Sequence, residues 1–162
     1  MKRIISFFII LLSLFLLFLN QDRIIDNYNT LRIELMPDPM AINTYDKGQC
    51  TYYVFDKVKK DGNMLERSWR DAKYWAKLAK QDGYNVNHSP RKGALLQSPR
   101  GTQGHVAYIE HIYQNGNVKV SEMNYTQPYE ITERIIYNKN LSRYKIIHPK
   151  INPKKSPQSK VD

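Results

Sequence analysis

An internal disulfide is excluded at the outset, because the chain holds a single cysteine, Cys50. No Cys-x-x-Cys pair is present to bind a metal or cycle electrons. The four histidines show no ligand spacing, so His88, His111 and His148 carry no metal role. Acidic residues are sparse: 15 Asp and Glu face 25 Lys and Arg, leaving a formal charge of +10. That imbalance favours anionic partners: nucleic acid, acidic lipid headgroups or an acidic wall polymer. Tryptophan is scarce (two residues) while tyrosine is plentiful (12), which suits half-wet positions on strands or along a cleft. Internal repeats are absent.

One long apolar run is present, and it comes first. Met1-Lys2-Arg3 precedes an apolar stretch from Ile4 to Leu19, broken only by Ser6 and Ser13. Basic residues ahead of such a stretch form an export signal, with Lys2 and Arg3 inside and the rest of the chain outside. The next residues, Asn20-Gln21-Asp22-Arg23, offer no small-x-small cleavage site. An uncleaved signal anchor is therefore favoured over a removed signal peptide across residues 1–20. Export strikes intracellular nucleic acid from the list of partners.

Residues 21–44 read as a stalk, since Ile24, Ile25, Leu31, Ile33 and Leu35 keep no helical period and Pro37-Asp38-Pro39 stops any helix. Residues 149–162 read as a basic, proline-bearing, disordered tail, either merely solvated or held to an anionic wall. Residues 45–148 remain, enough for one domain with one core. Helices come first there. Tyr53, Val54 and Val58 follow Cys50 at helical spacing until Asp61-Gly62; Trp69, Ala72, Trp75, Ala76 and Ala79 make a second stripe ending near Gly83. Strands follow at Ala94–Gln97, His105–Ile112, Val118–Tyr125, Ile131–Tyr137 and Tyr144–Ile147. The class is α+β, with helices packed on one face of an antiparallel sheet, preceded by one N-terminal hydrophobic helix.

A lone exported thiol is a hazard unless it is used. A buried apolar role is the plain alternative for Cys50. Its surroundings point to use. Cys50 opens the first long helix of the domain, where the positive helix end favours a thiolate. His105 starts one strand; Glu122 and Asn124 lie on the next. Cysteine, histidine and a carboxylate or amide make the thiol-hydrolase set, in which the third group orients the imidazole. Helix N–H groups and the Gln49 amide would donate to an oxyanion. Asn115-Gly116 signals a two-residue type I′ hairpin. That register pairs Ala107 with Asn124 and Ile109 with Glu122, so His105, Glu122 and Asn124 share one face. Asn124 is then diagonal to His105, and Glu122 needs a bulge to reach the ring.

Five blocks in order carry a resemblance: Gly48-Gln49-Cys50-Thr51-Tyr52-Tyr53; Trp69-Arg70-Asp71-Ala72 with Trp75-Ala76; Gly83-Tyr84 with Pro90-Arg91-Lys92-Gly93-Ala94; Gly104-His105-Val106-Ala107-Tyr108-Ile109-Glu110; and Val120-Ser121-Glu122-Met123-Asn124-Tyr125. Over about residues 45–148 the chain resembles the CHAP domain, the cysteine- and histidine-dependent amidohydrolases and peptidases, in the style of its secreted staphylococcal members. The resemblance implies a papain-like α+β fold and cleavage of amide bonds in peptidoglycan, either as an N-acetylmuramoyl-L-alanine amidase or as a stem or cross-bridge endopeptidase. It implies Cys50 as nucleophile, His105 as general base, Glu122 as the acidic third member and Asn124 as the polar residue two further on. It gives Glu122 the orienting role that the hairpin register gives to Asn124.

Two departures stand out. The calcium-holding acidic loop of some phage members is reduced here to Asp46 beside Lys47, so neither metal nor cofactor is expected. Tyr52-Tyr53 stands where the family often shows Trp-Tyr. With no wall-binding module recognisable, substrate affinity falls to the cleft, the basic surface and the membrane anchor of an extracytoplasmic envelope protein. The rival readings are a catalytically idle wall-binding or secretion and conjugation accessory protein of the same fold, and a processing peptidase.

Overall fold

A computed structural model describes residues 2–155 of the 162. The described residues divide into two units, one ending at Pro37 and one starting at Asp38.

The first unit contains helices α1 (Lys2–Leu19) and α2 (Gln21–Leu35). Neither Gly nor Pro interrupts α1. Among the described residues no single helix is long and apolar enough to cross a membrane. Ile5–Leu19 and α2 meet at a bend of 61° and reach that length and composition only as a pair. The stretch expected to be an irregular stalk is thus largely helical. Its lack of an apolar stripe shows instead as a helix with no buried residue. Met36 turns to extended backbone (ψ 141°) ahead of Pro37, which ends α2.

The second unit starts before the expected residue 45, because Met40 is wholly buried in its core. Helix α3 (Cys50–Lys60) turns Val54, Phe55 and Val58 inward and closes with Lys57, Lys59 and Lys60 at its negative end. A short strand β1 (Asn63–Met64) follows, then a 3-10 turn (Ala72–Tyr74) leading into α4 (Trp75–Gln81). This second helix begins later than its apolar stripe suggests. Arg70 sits at φ +60° and Asp71 is extended, so no helix can include them.

Strands β2 (Asn85–Asn87), β3 (Leu95–Ser98), β4 (His105–Ile112), β5 (Val118–Met123), β6 (Ile131–Ile136) and β7 (Lys145–His148) form an antiparallel sheet in the order β2-β7-β3-β4-β5-β6. Alternation along its strands feeds two cores. On one side Leu95, Val106, Tyr108 and Ile147 meet α3, Trp69 and Trp75; on the other Leu96, Ala107, Ile109, Val118, Val120 and Ile146 cluster with Leu141. The two tryptophans pack edge to face at 5.3 Å, and each buried indole N–H is satisfied, by Asp82 and by the Arg70 carbonyl.

The expected tail starts later than residue 149. Strand β8 (Lys150–Ile151) pairs with β1, and Asn152, only 1% exposed, donates Nδ2 to Asp38 Oδ1 at 2.8 Å. Backbone pairing and one satisfied buried amide order this polar stretch, whose Ile151 stays exposed. Residues 156–162 of the expected tail lie outside the described residues.

The β4–β5 hairpin corrects the expected register. Gly116 N–H bonds to Tyr113 O and Tyr113 N–H to Asn117 O, so the loop has three residues, with Gly116 left-handed at φ +77°. A bulge between Ile109 and His111 shifts the ladder once more, and beyond it Tyr108 pairs with Ser121. Two single-residue shifts preserve the face and slide β5 by one diagonal. Continued one residue, this pairing sets Glu122 opposite Ala107, diagonal to His105.

Candidate active site

Each predicted side chain comes from the end of an element. Gln49 is the N-cap of α3 and has extended backbone, and no side chain caps the helix. The first N–H groups of α3 therefore lack intrahelical partners at the point where Cys50 sits. The chain reaches this helix through Gly48 at φ +89°; a Cβ there would lie 2.1 Å from the Tyr129 ring. His105 opens β4 behind Gly104, at φ +71°, where a Cβ would lie 2.4 Å from the Lys73 backbone nitrogen. Both blocks thus need glycine beside the reactive residue.

Cys50 and His105 line one cleft, and the Cys50 side chain is near enough to the ring to help raise its pKa. His105 Nε2 lies 2.9 Å from Glu122 Oε2, which leaves Nδ1 as the ring nitrogen for the cysteine. Burial opposes a charge on His105, but the nearby Cys50 side chain and the bond to Glu122 outweigh it and raise its pKa from 6.5 to about 9. Burial likewise raises the Glu122 carboxyl, and bonds from His105 and Arg134 overcome this, holding it below its ordinary range. Glu122 is 0% exposed, so its charge rests on those two partners.

Asn124 does not orient the imidazole, as the sequence register suggests. It has left the strand, at φ +62°, and donates Nδ2 to Gln49 Oε1 at 2.9 Å. This fixes the Gln49 amide with its oxygen engaged and its Nε2 donor without a partner among the described residues. The cysteine is 8% exposed but borders an open cleft of about 390 Å³, lined also by Gln49, Arg70, Asp71, His105 and Asn124. Among the described residues no three His, Cys, Asp or Glu side chains converge to hold a metal ion.

Sequence reading missed three contributors. Arg134 Nε donates to Glu122 Oε1 at 2.5 Å, and Nη2 to Oε2 at 3.2 Å. The Tyr125 ring packs 5.2 Å from the His105 ring, and Tyr129 covers Gly48. Period-two alternation puts Arg134 on the side of Thr132 and Ile136. The long loop before β6 hides its register against β5, so nothing in the sequence joins it to Glu122.

A nucleophile at a helix N-terminus, an imidazole held by a buried carboxylate, and amide donors facing a cleft can together attack a carbonyl and stabilise the oxyanion. The CHAP domain model matches residues 40–124. A probable autolysin, SsaALP, from Staphylococcus aureus (strain NCTC 8325 / PS 47) is 47% identical over 107 residues, covering 65% of this chain and 40% of that protein. The staphylococcal secretory antigen SsaA of Staphylococcus epidermidis is also 47% identical over 107 residues, covering 65% of this chain and 40% of its own length. The chain thus matches well under half the length of these relatives. A crystal structure of an N-acetylmuramoyl-L-alanine amidase from Staphylococcus aureus superposes with a TM-score of 0.64 at 29% identity, over 66% of this chain and 32% of that one. By sequence, by fold and by the residues brought together at its cleft, the chain belongs to the CHAP domain family.

Proposed function

We propose that the protein is a peptidoglycan hydrolase that cuts an amide bond through Cys50 at the extracytoplasmic face of the cell envelope. The observation that carries this reading is Cys50 and His105 lining one cleft, with His105 bonded to the buried Glu122. The named relatives, an autolysin, a secretory antigen and an amidase, support the substrate class and the location.

The geometry supports the following steps. The Cys50 thiol gives its proton to His105 Nδ1 as its sulfur forms a bond to the carbonyl carbon, and charge moves to the oxygen. Gln49 Nε2 and the first N–H groups of α3 face that oxygen. Protonated His105 delivers the Nδ1 proton to the leaving nitrogen as the C–N bond breaks, leaving a thioester. Water then adds to the thioester as His105 takes one of its protons, the C–S bond breaks with that proton returned to sulfur, and the acid product leaves and ionises in solvent. Glu122 keeps the ring in the tautomer with Nε2–H throughout. Asn124 holds the Gln49 amide in its donor orientation.

Zymography on purified cell walls tests this. Clearing by the parent, and none by an equally folded Cys50→Ala variant, is expected; equal clearing by both would refute the reading. Mass spectrometry of the released fragments assigns the bond, whether sugar–peptide amide, stem or cross-bridge.

A further inference from the structure

Glu122 is fully buried, yet its two oxygens take bonds from both sides. The three residues involved sit on neighbouring strands. Arg134 on β6 pairs directly with Val120, and Thr132 with Glu122, so Arg134 and Glu122 are diagonal on one face of the sheet. Glu122 and His105 are diagonal across the next strand pair. The polar row His105–Glu122–Arg134 continues the apolar rows of Ala107, Val120 and Ile136 toward the end of the sheet.

Arg134 also reaches the ring by a second route. Its guanidinium carbon lies 4.0 Å from the Tyr125 ring centroid, and Tyr125 packs on His105. One side chain thus touches the carboxylate at the edge of the imidazole and the aromatic ring beside it.

We propose that Arg134 is a positioning residue for His105, acting through Glu122 and Tyr125, so that the working set is Cys50–His105–Glu122–Arg134. The inference rests on the hydrolase reading. Whenever the ring is neutral, as it must be to accept the thiol proton, a fully buried carboxyl that has lost Arg134 has no cationic partner and takes up a proton. A protonated Glu122 would donate to Nε2 of the neutral ring. The ring proton would then sit on Nδ1, and that nitrogen would no longer accept the thiol proton. Arg134 keeps Glu122 an acceptor, and so keeps Nδ1 basic. Its planar fork engages both carboxylate oxygens while its face meets Tyr125; a lysine would keep the charge that holds Glu122 ionised but not this geometry.

The test compares the full chain with Arg134→Gln, Arg134→Lys, Glu122→Gln and the Glu122→Gln/Arg134→Gln double variant, each checked by thermal melting. Arg134→Gln is expected to lower kcat on soluble wall fragments about ten-fold or more, with KM little changed. Its acid limb of activity should move to higher pH, and Arg134→Lys should bring that limb back. In the Glu122→Gln background the Arg134 change should add little, since both act through one group. An unchanged acid limb, or the same loss in both backgrounds, overturns the proposal. Should the parent cleave no wall, the hydrolase reading fails, and the His105 tautomer still decides. Nitrogen-15 spectra of the neutral ring are expected to show Nε2–H in the parent and a shift toward Nδ1–H in Arg134→Gln. The same tautomer in both overturns the proposal.

Discussion

Glu122→Gln isolates what the buried carboxylate does, because it keeps the shape and removes the charge. In the parent, Glu122 is 0% exposed and faces an Arg134 side chain that is 25% exposed and a His105 that is 17% exposed. A glutamine offers one acceptor and one donor. Its NH2 must meet either Arg134 or the His105 N–H, both of them donors. Removing one partner of a buried ion pair costs about 3–5 kcal/mol. Partial exposure of both partners lets water replace some of the loss, so the lower figure, about 3 kcal/mol, applies. For a unit of this size that corresponds to a fall in Tm of about 10–15 °C. The imidazole loses one of the groups that hold it protonated, so its midpoint should drop from about 9. Differential scanning calorimetry and proton NMR of the ring read the two quantities separately. A Tm within about 2 °C of the parent and a His105 midpoint still at about 9 would refute the electrostatic account.

Three further outcomes follow from the same geometry. The raised His105 pKa gives stability that is complete below its unfolded value of 6.5 and fades as pH rises through about 9. The lowered Glu122 pKa gives stability that is complete above 4.5 and fades in more acid solution, so these two groups favour the folded state most between those limits. Melting from pH 4 to 10 checks this; His105→Asn should flatten the alkaline fall, and an unflattened fall would assign it to other groups. Gly104→Ala should destabilise by about 2–4 kcal/mol, because φ is +71° and the new Cβ meets Lys73 backbone at 2.4 Å. An equal Tm would contradict that close approach. Asn124→Ala frees the Gln49 amide to rotate; it should lower kcat about ten-fold and leave the His105 midpoint in place, because Asn124 bonds Gln49 and not the ring. A shifted midpoint would return Asn124 to the role that the sequence register gave it.

Much of the fold is legible because hydrophobic spacing is strong where packing is deep. Val54, Val58, Trp75 and Ala79 mark both helices, and β4 spans the residues its pattern predicts, His105–Ile112. Errors fall where backbone detail outweighs pattern. Arg70 at φ +60° cuts the second helix short, and a three-residue loop replaces the expected type I′ turn. Strands β1, β2 and β8 have two or three residues each, too few for an alternation to register. His105 is bonded to Glu122 beside the cleft that Cys50 lines, yet the hairpin register alone preferred Asn124. The three-residue loop and the bulge at Glu110, which is tied by Lys57 and Ser121, together bring Glu122 to the diagonal. Arg134 was beyond reach because its partner is set by sheet pairing across an irregular loop.

The most direct measurement is the appearance of new primary amines when the purified protein digests purified peptidoglycan, run beside Cys50→Ala of matched Tm. The account predicts steady amine release by the parent and release at the blank rate by the variant. Release by the variant at the parent's rate, or none from either protein, would contradict it.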